Sequence, residues 1–380
     1  MSETKSRTRV MMLETGGWGG IHSYAHALCN ALVDEPLDLV LLTNEKYELA
    51  DRPGRFRRLQ VLKRESYLRT LAKVGRLLVR EKTDILHVQS LISQRKDLIL
   101  LLLCRLLHIR LVLTVHNILP HEVRPFERVL YFLYYRLADA LIVHSRANGD
   151  RLLEQVPDLD GQKIRVIAHG NYAEFGDLEL EREAAREKLG LPQHRPIALF
   201  FGAIRPYKRL DLFLQLVKPV REACQEAFFA VAGNVLKGDQ ADYERQIADL
   251  ELGGEDLHVR FDYLSMADSI AYVCAADLLV LPYREIYQSG VLLFAFSFGR
   301  PVLATRVGSF PETIHEGKCG WLVERDDVAG LRAAAIRLLR ERKELAAAGD
   351  YARRLATEQY HWQGIARRTS QVYEKVERQI

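Results

Sequence analysis

Short runs of Val, Ile, Leu and Phe alternate with amphipathic stretches along the whole chain. This alternation predicts repeated strand–helix–strand units built around parallel sheets. A buried strand followed by an apolar helix and a second buried run, as in residues 278–305, is typical of open sheets that bind ligands at the carboxyl ends of their strands. Strands are predicted at 9–14, 37–43, 85–89, 111–116, 140–145, 164–169, 197–202, 227–233, 257–263, 278–283, 301–305 and 320–324.

A polar and charged segment, residues 172–194, separates the two halves of this pattern and has the composition of a domain boundary. We therefore expect an α/β protein with two Rossmann-like, doubly wound domains, at 1–180 and 181–360, and a ligand cleft between them. Apolar residues at three- and four-residue spacing predict helices after about residue 327, the last of them at 361–380.

Composition then narrows the class of protein. The chain of 380 residues is 48% hydrophobic and 27% charged, as expected of a soluble globular protein with substantial cores. Its cysteines are scattered and form no C-x-x-C pair, so neither a disulfide framework nor a zinc site is predicted. No continuous apolar segment follows the charges of the N-terminus, which predicts no secretory signal and a cytoplasmic location.

Two segments raise the question of membrane contact. The most apolar run, residues 97–115, contains Arg105, His108 and Arg110, so it is predicted to be a helix and a strand rather than a membrane span. Residues 52–82 hold a large excess of Lys and Arg over Glu. This segment is either a solvated amphipathic helix face or a surface attracted to anionic lipid headgroups. No nucleic-acid recognition motif accompanies it, so no nucleic-acid partner is expected.

Four glycines in five positions follow the first predicted strand, in ETGGWGGIHSY at 14–24. Glycines permit a tight turn and let backbone N–H groups approach an anion, and the next helix adds its positive N-terminal end. The segment matches neither the dinucleotide-binding motif nor the P-loop. It is therefore compatible either with a phosphate site or with a simple tight turn.

Arg205 and Lys208 follow the first strand of the second half, in FFGAIRPYKRL at 200–210. Both cations can point at one spot before the next helix begins. A departing diphosphate needs such charges, because Arg offers a bidentate fork and Lys a point charge where negative charge develops. The alternative is an ordinary solvated basic turn.

Further candidates lie at two other strand ends. The segment YQSGV places Ser289, Gly290 and Val291 at the start of an apolar helix, where a hydroxyl and unsatisfied N–H groups would face a ligand. Ser289 can also simply cap that helix. His116 ends a predicted strand of the first domain, where its imidazole can meet a ligand and donate or accept a hydrogen bond.

These elements in this order, with IAHGNY at 167–172 and TRVGSFPETIHEGKCGWLV at 305–323, resemble the GT-B glycosyltransferases. Within them, the chain is most similar to the large retaining, metal-independent family 4, also called glycosyl transferases group 1. The resemblance implies transfer of a hexosyl group from a nucleoside diphosphate sugar to a glycan or lipid-linked acceptor in cell-surface polysaccharide or glycolipid synthesis. It implies no cofactor or metal, and a C-terminal helix that packs back on the first domain.

The resemblance also implies a role for each candidate position. The glycine loop, the two cations and the helix start would bind the donor phosphates, and a histidine would lie near the donor sugar. The acceptor would attack from the side of the leaving group, whose phosphate oxygen would help to deprotonate it. The residues concerned are Gly19, Gly20, His116, Arg205, Lys208, Ser289, Gly290 and Val291.

The chain departs from the family pattern at two places. The family commonly carries two glutamates eight positions apart, for the sugar and the ribose hydroxyls, where this chain has Ile286 and Phe294. Glu285 can still reach the sugar, because a loop does not fix the phase of its side chains. A phenyl ring accepts no such hydrogen bond, so the ribose must be held otherwise. The family arginine directly after the glycine is Ala203 here, and Arg205 matches a variant of that motif.

Several functions remain open. The leading hypothesis is an active transferase, peripheral to the inner face of the cytoplasmic membrane if its acceptor is lipid-linked. The lost glutamates favour a catalytically silent subunit that binds a partner or a glycan. An inverting transferase or a sugar-nucleotide epimerase would use a base such as His116, His121 or Glu122. An Asp-x-Asp metal site is disfavoured, because the triplet at 158–160 precedes a strand instead of following one.

Overall fold

The chain forms two units, each built on its own sheet. The computed structural model describes residues 7–63, 65–93, 95–119 and 125–378. The first unit comprises Met1–Gly170 and Tyr360–Ile380, and the second comprises Asn171–Gln359. The sequence predicts the boundary between the halves at 180, whereas the structure has it between Gly170 and Asn171.

The sheet of the first unit is parallel throughout, in the order β3-β2-β1-β4-β5-β6-β7. Its strands are β1 (Thr8–Leu13), β2 (Leu37–Asn44), β3 (Arg57–Leu62), β4 (Ile85–Val88), β5 (Arg110–Thr114), β6 (Ala140–Val143) and β7 (Ile164–Val166). The sequence did not predict β3, which lies within the basic segment 52–82. It is an edge strand with only one fully buried side chain, so it lacks the apolar run that marks the central strands.

The sheet of the second unit is also parallel, in the order β10-β9-β8-β11-β12-β13. Its strands are β8 (Ile197–Phe201), β9 (Phe228–Ala232), β10 (Leu257–Arg260), β11 (Leu278–Leu281), β12 (Val302–Thr305) and β13 (Gly320–Val323). The strands β8, β9, β11 and β12 are buried along their whole length, because helices cover both faces of a parallel sheet.

Helices connect and cover these strands. They are α1 (Gly19–Leu32), α2 (Tyr67–Arg80), α3 (Leu98–Leu106), α4 (Pro125–Leu137), α5 (Arg146–Gln155), α6 (Arg182–Leu189), α7 (Leu210–Ala223), α8 (Gln240–Asp249), α9 (Met266–Ala275), α10 (Gly290–Ser297), α11 (Phe310–Thr313), α12 (Val328–Arg340), α13 (Arg342–Gln359) and α14 (Trp362–Glu377). In the described ranges, no helix combines the length and the apolar composition that crossing a bilayer requires.

The last helix, α14, belongs to the first unit and packs against α1. Gly170 makes this possible, because a Cβ atom there would lie within 2.2 Å of the Trp362 ring. Further along the helix, the hydroxyl of Tyr373 is hydrogen-bonded to His87 Nδ1 at 2.6 Å. The C-terminal helix therefore completes the core of the first unit.

Strand order reverses at one point in each sheet, between β1 and β4 in the first and between β8 and β11 in the second. Ligands of open α/β sheets bind outside the carboxyl ends of the strands at such points. The glycine loop follows β1, and the segments of Lys208 and Ser289 follow β8 and β11. Most candidate residues therefore lie at the reversal point of their own sheet.

Candidate functional site

A nearly buried ammonium lies at the reversal point of the second sheet. Gly202, with φ of 95°, turns the chain after β8, and a short 3₁₀ turn over Pro206–Lys208 follows it. Lys208 is only 7% exposed, and its Nζ lies 5.3 Å from the centre of the Tyr283 ring. Burial, followed by the nearby charge of Arg205, lowers the pKa of Lys208 to about 7. The site therefore concentrates positive charge where water is largely excluded.

These two cations differ from their neighbours in having no carboxylate partner. In the described part of the chain, neither Arg205 nor Lys208 lies within salt-bridge distance of Asp or Glu. The adjacent Arg209, by contrast, pairs with Asp211 and Asp326 at 3.0 Å each. A half-buried and a buried cation without counter-ions favour the binding of an anion.

The start of α10 lies close to the ammonium of Lys208. A Cβ atom added to Gly202 would lie 3.1 Å from Val291 Cγ2 and 3.5 Å from Lys208 Nζ, so these groups converge on one spot. The Ser289 hydroxyl caps the helix by accepting a hydrogen bond from the amide of Leu292 at 3.4 Å. The first amides of the helix, at Gly290 and Val291, have no intrahelical acceptor and can bind an anion.

The loop before α10 presents Glu285 and buries Ile286. A Cβ atom at Gly308, which has φ of 51°, would lie 1.9 Å from the Ile286 carbonyl oxygen, so the backbone is tightly packed there. Glu285 is exposed. Burial raises the pKa of Tyr207; the charge of Arg205 opposes this rise and the charge of Glu285 adds to it. The family position for the first glutamate is therefore a packed isoleucine, and the carboxylate of this loop lies one residue earlier.

Phe294 is part of an aromatic cluster. It is 5% exposed and stacks on Phe201 with the ring centres 5.6 Å apart and the planes 7° apart. The rings of Tyr172 and Phe298 meet it at 5.0 Å and 5.1 Å. These contacts fill the space around the side chain, so Phe294 stabilises the second unit by packing.

Sequence reasoning missed Tyr172. Its ring contacts Phe294, and a Cβ atom at Gly290 would lie 2.8 Å from its hydroxyl oxygen. Since Gly290 and Phe294 are four residues apart on α10, Tyr172 covers one face of the first turns of this helix. No local sequence pattern indicates this contact, because Tyr172 lies far from α10 along the chain.

The glycine loop of the first unit binds carboxylates of its own chain. Glu14, which is buried, accepts hydrogen bonds from the amides of Gly16 at 2.6 Å and Gly17 at 3.0 Å. Glu48 accepts one from the amide of Gly19 at 2.9 Å. A phosphate at these amides would have to displace a carboxylate of like charge.

Glu14 is stabilised as an anion. Burial acts to raise its pKa, but hydrogen bonds from His22, the Gly17 amide and Thr43 outweigh it and lower the pKa. The side chain of Trp18, in the middle of the loop, is exposed. Gly20 is exposed in the first turn of α1. Its predicted contact with a phosphate stays a prediction.

His116 lies in a cluster of imidazoles just after β5. Its Nε2 is 2.9 Å from Gln89 Oε1, and its Nδ1 is 3.2 Å from His144 Nε2. The Tyr24 ring contacts His116, His144 and His169 at 5.0–5.2 Å between ring centres. Burial, and then the neighbouring histidines, lower the pKa of His116 well below its usual value. The alternative bases His121 and Glu122 lie outside the described residues.

Both units of the chain match models of glycosyltransferase families. Residues 18–171 match the model of Glycosyltransferase Family 4, and residues 195–341 match that of Glycosyl transferases group 1. The chain is 31% identical over 244 residues to D-inositol 3-phosphate glycosyltransferase of Streptomyces coelicolor, covering 62% of this chain and 52% of that protein. It is 36% identical over 128 residues to MMP alpha-(1->4)-mannosyltransferase of Mycolicibacterium hassiacum, covering 33% of this chain and 31% of that protein. The chain thus spans about half the length of the first of these curated relatives and about a third of the second.

Solved structures match the chain over nearly its whole length. Sucrose-phosphate synthase of Thermosynechococcus elongatus has a TM-score of 0.78 at 19% identity, covering 98% of this chain and 100% of its own. Anabaena Alr3699/HepE, solved in complex with UDP-glucose, has a TM-score of 0.79 at 16% identity with the same coverage. These matches show that the fold is GT-B.

Restoring a carboxylate at position 294 should destabilise the second unit. Phe294→Glu places a charge among three aromatic rings, and we expect a loss of about 3 kcal/mol or more in its free energy of unfolding. Phe294→Leu, a control without charge, should cost about 1 kcal/mol. Urea unfolding, with hydrogen exchange of β8 as the readout for the second unit, measures the free energy of unfolding of both variants. Equal stability of the two variants would mean that position 294 opens to solvent.

Mild acid should destabilise the first unit. Burial lowers the pKa of four imidazoles, to about 3 for His87 and His144 and to about 4 for His26 and His169. Unfolded histidines titrate near pH 6.5, so the unfolded state binds protons at a higher pH than the folded state does. The stability that is present above pH 6.5 is therefore lost between about pH 6.5 and 4. Each histidine contributes about 1.4 kcal/mol per pH unit within this window. Burial raises the pKa of Asp97 to about 6, so this one carboxyl group acts in the opposite direction.

Hydrogen exchange at pH 7.5 and pH 5 tests this expectation. Protection of β4, β5 and β6 should fall as the pH falls. The strands β8, β9 and β11 serve as the internal control, because the histidines with the lowest pKa values all lie in the first unit. Equal loss of protection in both units would contradict the proposed origin of the effect.

Proposed function

This chain belongs to the family 4, group 1 glycosyltransferases, and on that basis we propose that it transfers a hexosyl group from a nucleoside diphosphate sugar to a hydroxyl of a glycan or lipid-linked acceptor. The reaction would serve the assembly of cell-surface polysaccharide or glycolipid. The donor is a substrate, and the proposal requires no further cofactor.

The pair of cations without carboxylate partners carries this proposal. Lys208 and Val291, at the start of α10, converge on one spot at the strand reversal of the second sheet, and the charge of Arg205 acts on Lys208. Such a site suits the two phosphates of a nucleoside diphosphate, since fixed cations and amides stabilise the negative charge that develops as this group leaves. A bound diphosphate would also keep Lys208 protonated, against the effect of burial on its pKa.

Retention of configuration fits the groups available. His116 is a poor general base, because burial and its histidine neighbours lower its pKa well below its usual value. We propose that an oxygen of the leaving diphosphate takes the acceptor proton, and that His116 contacts the donor sugar. NMR of the product, which reports its anomeric configuration directly, separates this mechanism from inversion.

UDP is the first nucleotide to test. Anabaena Alr3699/HepE, which shares the fold, was solved with UDP-glucose and with UDP and glucose. In this chain Phe294 can offer no hydrogen bond to a ribose, so the phosphates would supply most of the affinity. Glu285 is the carboxylate best placed in sequence to contact the donor sugar.

A catalytically silent subunit is the second candidate, and the packed Ile286 and Phe294 favour it. Such a protein would bind a glycan or a partner without turning over a donor. It would have no use for unpaired cations beside free amides. Nucleotide binding without hydrolysis or transfer of any sugar would support this candidate over the first.

We also propose that α2 and α3 contact an anionic membrane surface. Basic residues recur on one face of α2 at Arg69, Lys73, Arg76 and Arg80. Exposed apolar side chains flank them, with Leu68 71% and Leu106 75% exposed, and the helices approach closely at Gly75. Cations beside apolar side chains suit anionic headgroups at the edge of the acyl region. This contact would bring a lipid-linked acceptor to the enzyme.

Removing either cation should weaken nucleotide binding. Arg205→Ala and Lys208→Met each delete a charge without a protein counter-ion, and each should raise the Kd of the preferred nucleoside diphosphate about tenfold or more. Lys218→Ala is the matched control, because Lys218 lies exposed on α7 and pairs with Glu251. Calorimetry measures all three. Unchanged affinity in both cation variants, with the fold intact, would overturn the assignment of the phosphate site.

Binding to liposomes should depend on charge. The protein should float with phosphatidylglycerol vesicles but not with phosphatidylcholine vesicles, and added salt should weaken the association. Arg69→Glu with Arg76→Glu should abolish it, whereas Lys218→Glu in the second unit should not. Equal recovery on both vesicle types would exclude this surface as a membrane contact.

A further inference from the structure

A row of polar side chains crosses the interior of the first unit. We call it the histidine relay, and it consists of Tyr373, His87, Gln89, His116, His144 and the carbonyl of Ile167. Consecutive members lie 2.6 to 3.2 Å apart. It connects the C-terminal helix α14, through β4 and the residues after β5 and β6, to the residue that follows β7.

One end of the relay fixes the position of its protons. The carbonyl oxygen of Ile167 can only accept, and it lies 3.0 Å from His144 Nδ1, so this nitrogen carries a proton. If His144 is neutral, its Nε2 is then an acceptor. The nitrogen facing it, Nδ1 of His116 at 3.2 Å, must donate.

The contact on the other side of His116 is inconsistent with two neutral rings. Its Nε2 lies 2.9 Å from Oε1 of Gln89, which is also an acceptor. Two imidazoles between two oxygen acceptors need three N–H groups, whereas two neutral imidazoles carry only two. Either one ring is a cation, or the Gln89 amide is turned by 180° and presents its NH2 group to His116.

The other hydrogen bonds of the relay are compatible with the turned amide. Oε1 of Gln89 would then face Nε2 of His87, the atom now 3.1 Å from the amide nitrogen, and Nε2–H of His87 can donate to it or to Thr114 Oγ1 at 2.7 Å. His87 Nδ1 is left to accept from the Tyr373 hydroxyl. Burial raises the pKa of Tyr373 well above its usual value, so this phenol keeps its proton.

We propose that His116 and His144 are both neutral imidazoles protonated at Nδ1, and that Gln89 donates its NH2 group to Nε2 of His116. The hydrogen bonds of the relay then all run in one direction, from the Tyr373 hydroxyl to the Ile167 carbonyl. Gln89 and His144 are positioning residues: they set the tautomer and the ring orientation of His116. Burial of these rings, which lowers the pKa of each, favours the neutral forms.

This assignment has a consequence for recognition, which rests on the proposed role of His116 in sugar binding. A ligand group that replaces the Gln89 amide at Nε2 must itself donate a hydrogen. A hydroxyl can do so, and a phosphate that is fully ionised cannot. His116 would therefore recognise a hydroxyl group, and phosphate binding would fall to the cations of the second unit.

NMR of the substrate-free protein tests the proposal directly. In protein labelled with ¹⁵N-histidine at neutral pH, long-range proton–nitrogen correlations show which ring nitrogens carry protons. We expect Nδ1–H alone on His116 and His144, and Nε2–H alone on His87. Double protonation of His116 or His144, or an Nε2–H tautomer of His116, would overturn the proposal. Because no substrate is present, a failure to bind nucleotide would affect the proposed function and leave this result standing.

Gln89→Glu provides a second, independent readout. A carboxylate there can only accept, so it should draw a proton onto Nε2 and make His116 doubly protonated. Tyr373→Phe removes the first donor and should shift the signals of His87 and, through the relay, those of His116. His258, which bonds Tyr272 in the second unit, is the control and should not change. Signals of His116 that stay unchanged in both variants would contradict a relay.

Discussion

The positive charge of Lys208, which has no carboxylate partner among the described residues, is the constraint on which the second unit's proposed site depends. An ammonium that is nearly buried without a carboxylate is unfavourable unless a ligand supplies the negative charge. The strand β8 ends at Phe201, and Gly202, with its positive φ, turns the chain close to Val291 at the start of α10. The amides of α10 then add their partial charges to those of Lys208 and Arg205. Fold and electrostatics together give the charge of the anion site that we propose.

Aromatic packing takes the place of the second family glutamate. Phe294 lies against Phe201, Phe298 and Tyr172, and Tyr172 reaches the first residue of α10. A carboxylate in that cluster would be desolvated without a partner, so position 294 cannot simply revert to the family residue. In the function that we propose, the phosphates would therefore supply most of the affinity, because Phe294 offers the nucleoside no hydrogen bond.

The sequence predicted the two-sheet fold well because central parallel strands are continuous apolar runs. It failed at β3, an edge strand whose RRLQVL sequence has only one fully buried side chain. Arg205 and Lys208 could be predicted from their place after a strand, but their lack of carboxylate partners required coordinates. Glu48, at the amide of Gly19, is distant along the chain, and the orientation that we propose for the Gln89 amide follows only from counting protons across three strands. Such contacts between distant segments leave no local pattern in a sequence.

The melting temperature of the protein with UDP, GDP, ADP, dTDP and CMP, each with and without EDTA, tests the central claim most directly. A ligand that binds the native state must raise this temperature. The account predicts a rise with one nucleoside diphosphate that EDTA leaves unchanged, that Lys208→Met abolishes and that Lys218→Ala preserves. No rise with any nucleotide at millimolar concentration, or an equal rise in Lys208→Met, would contradict it.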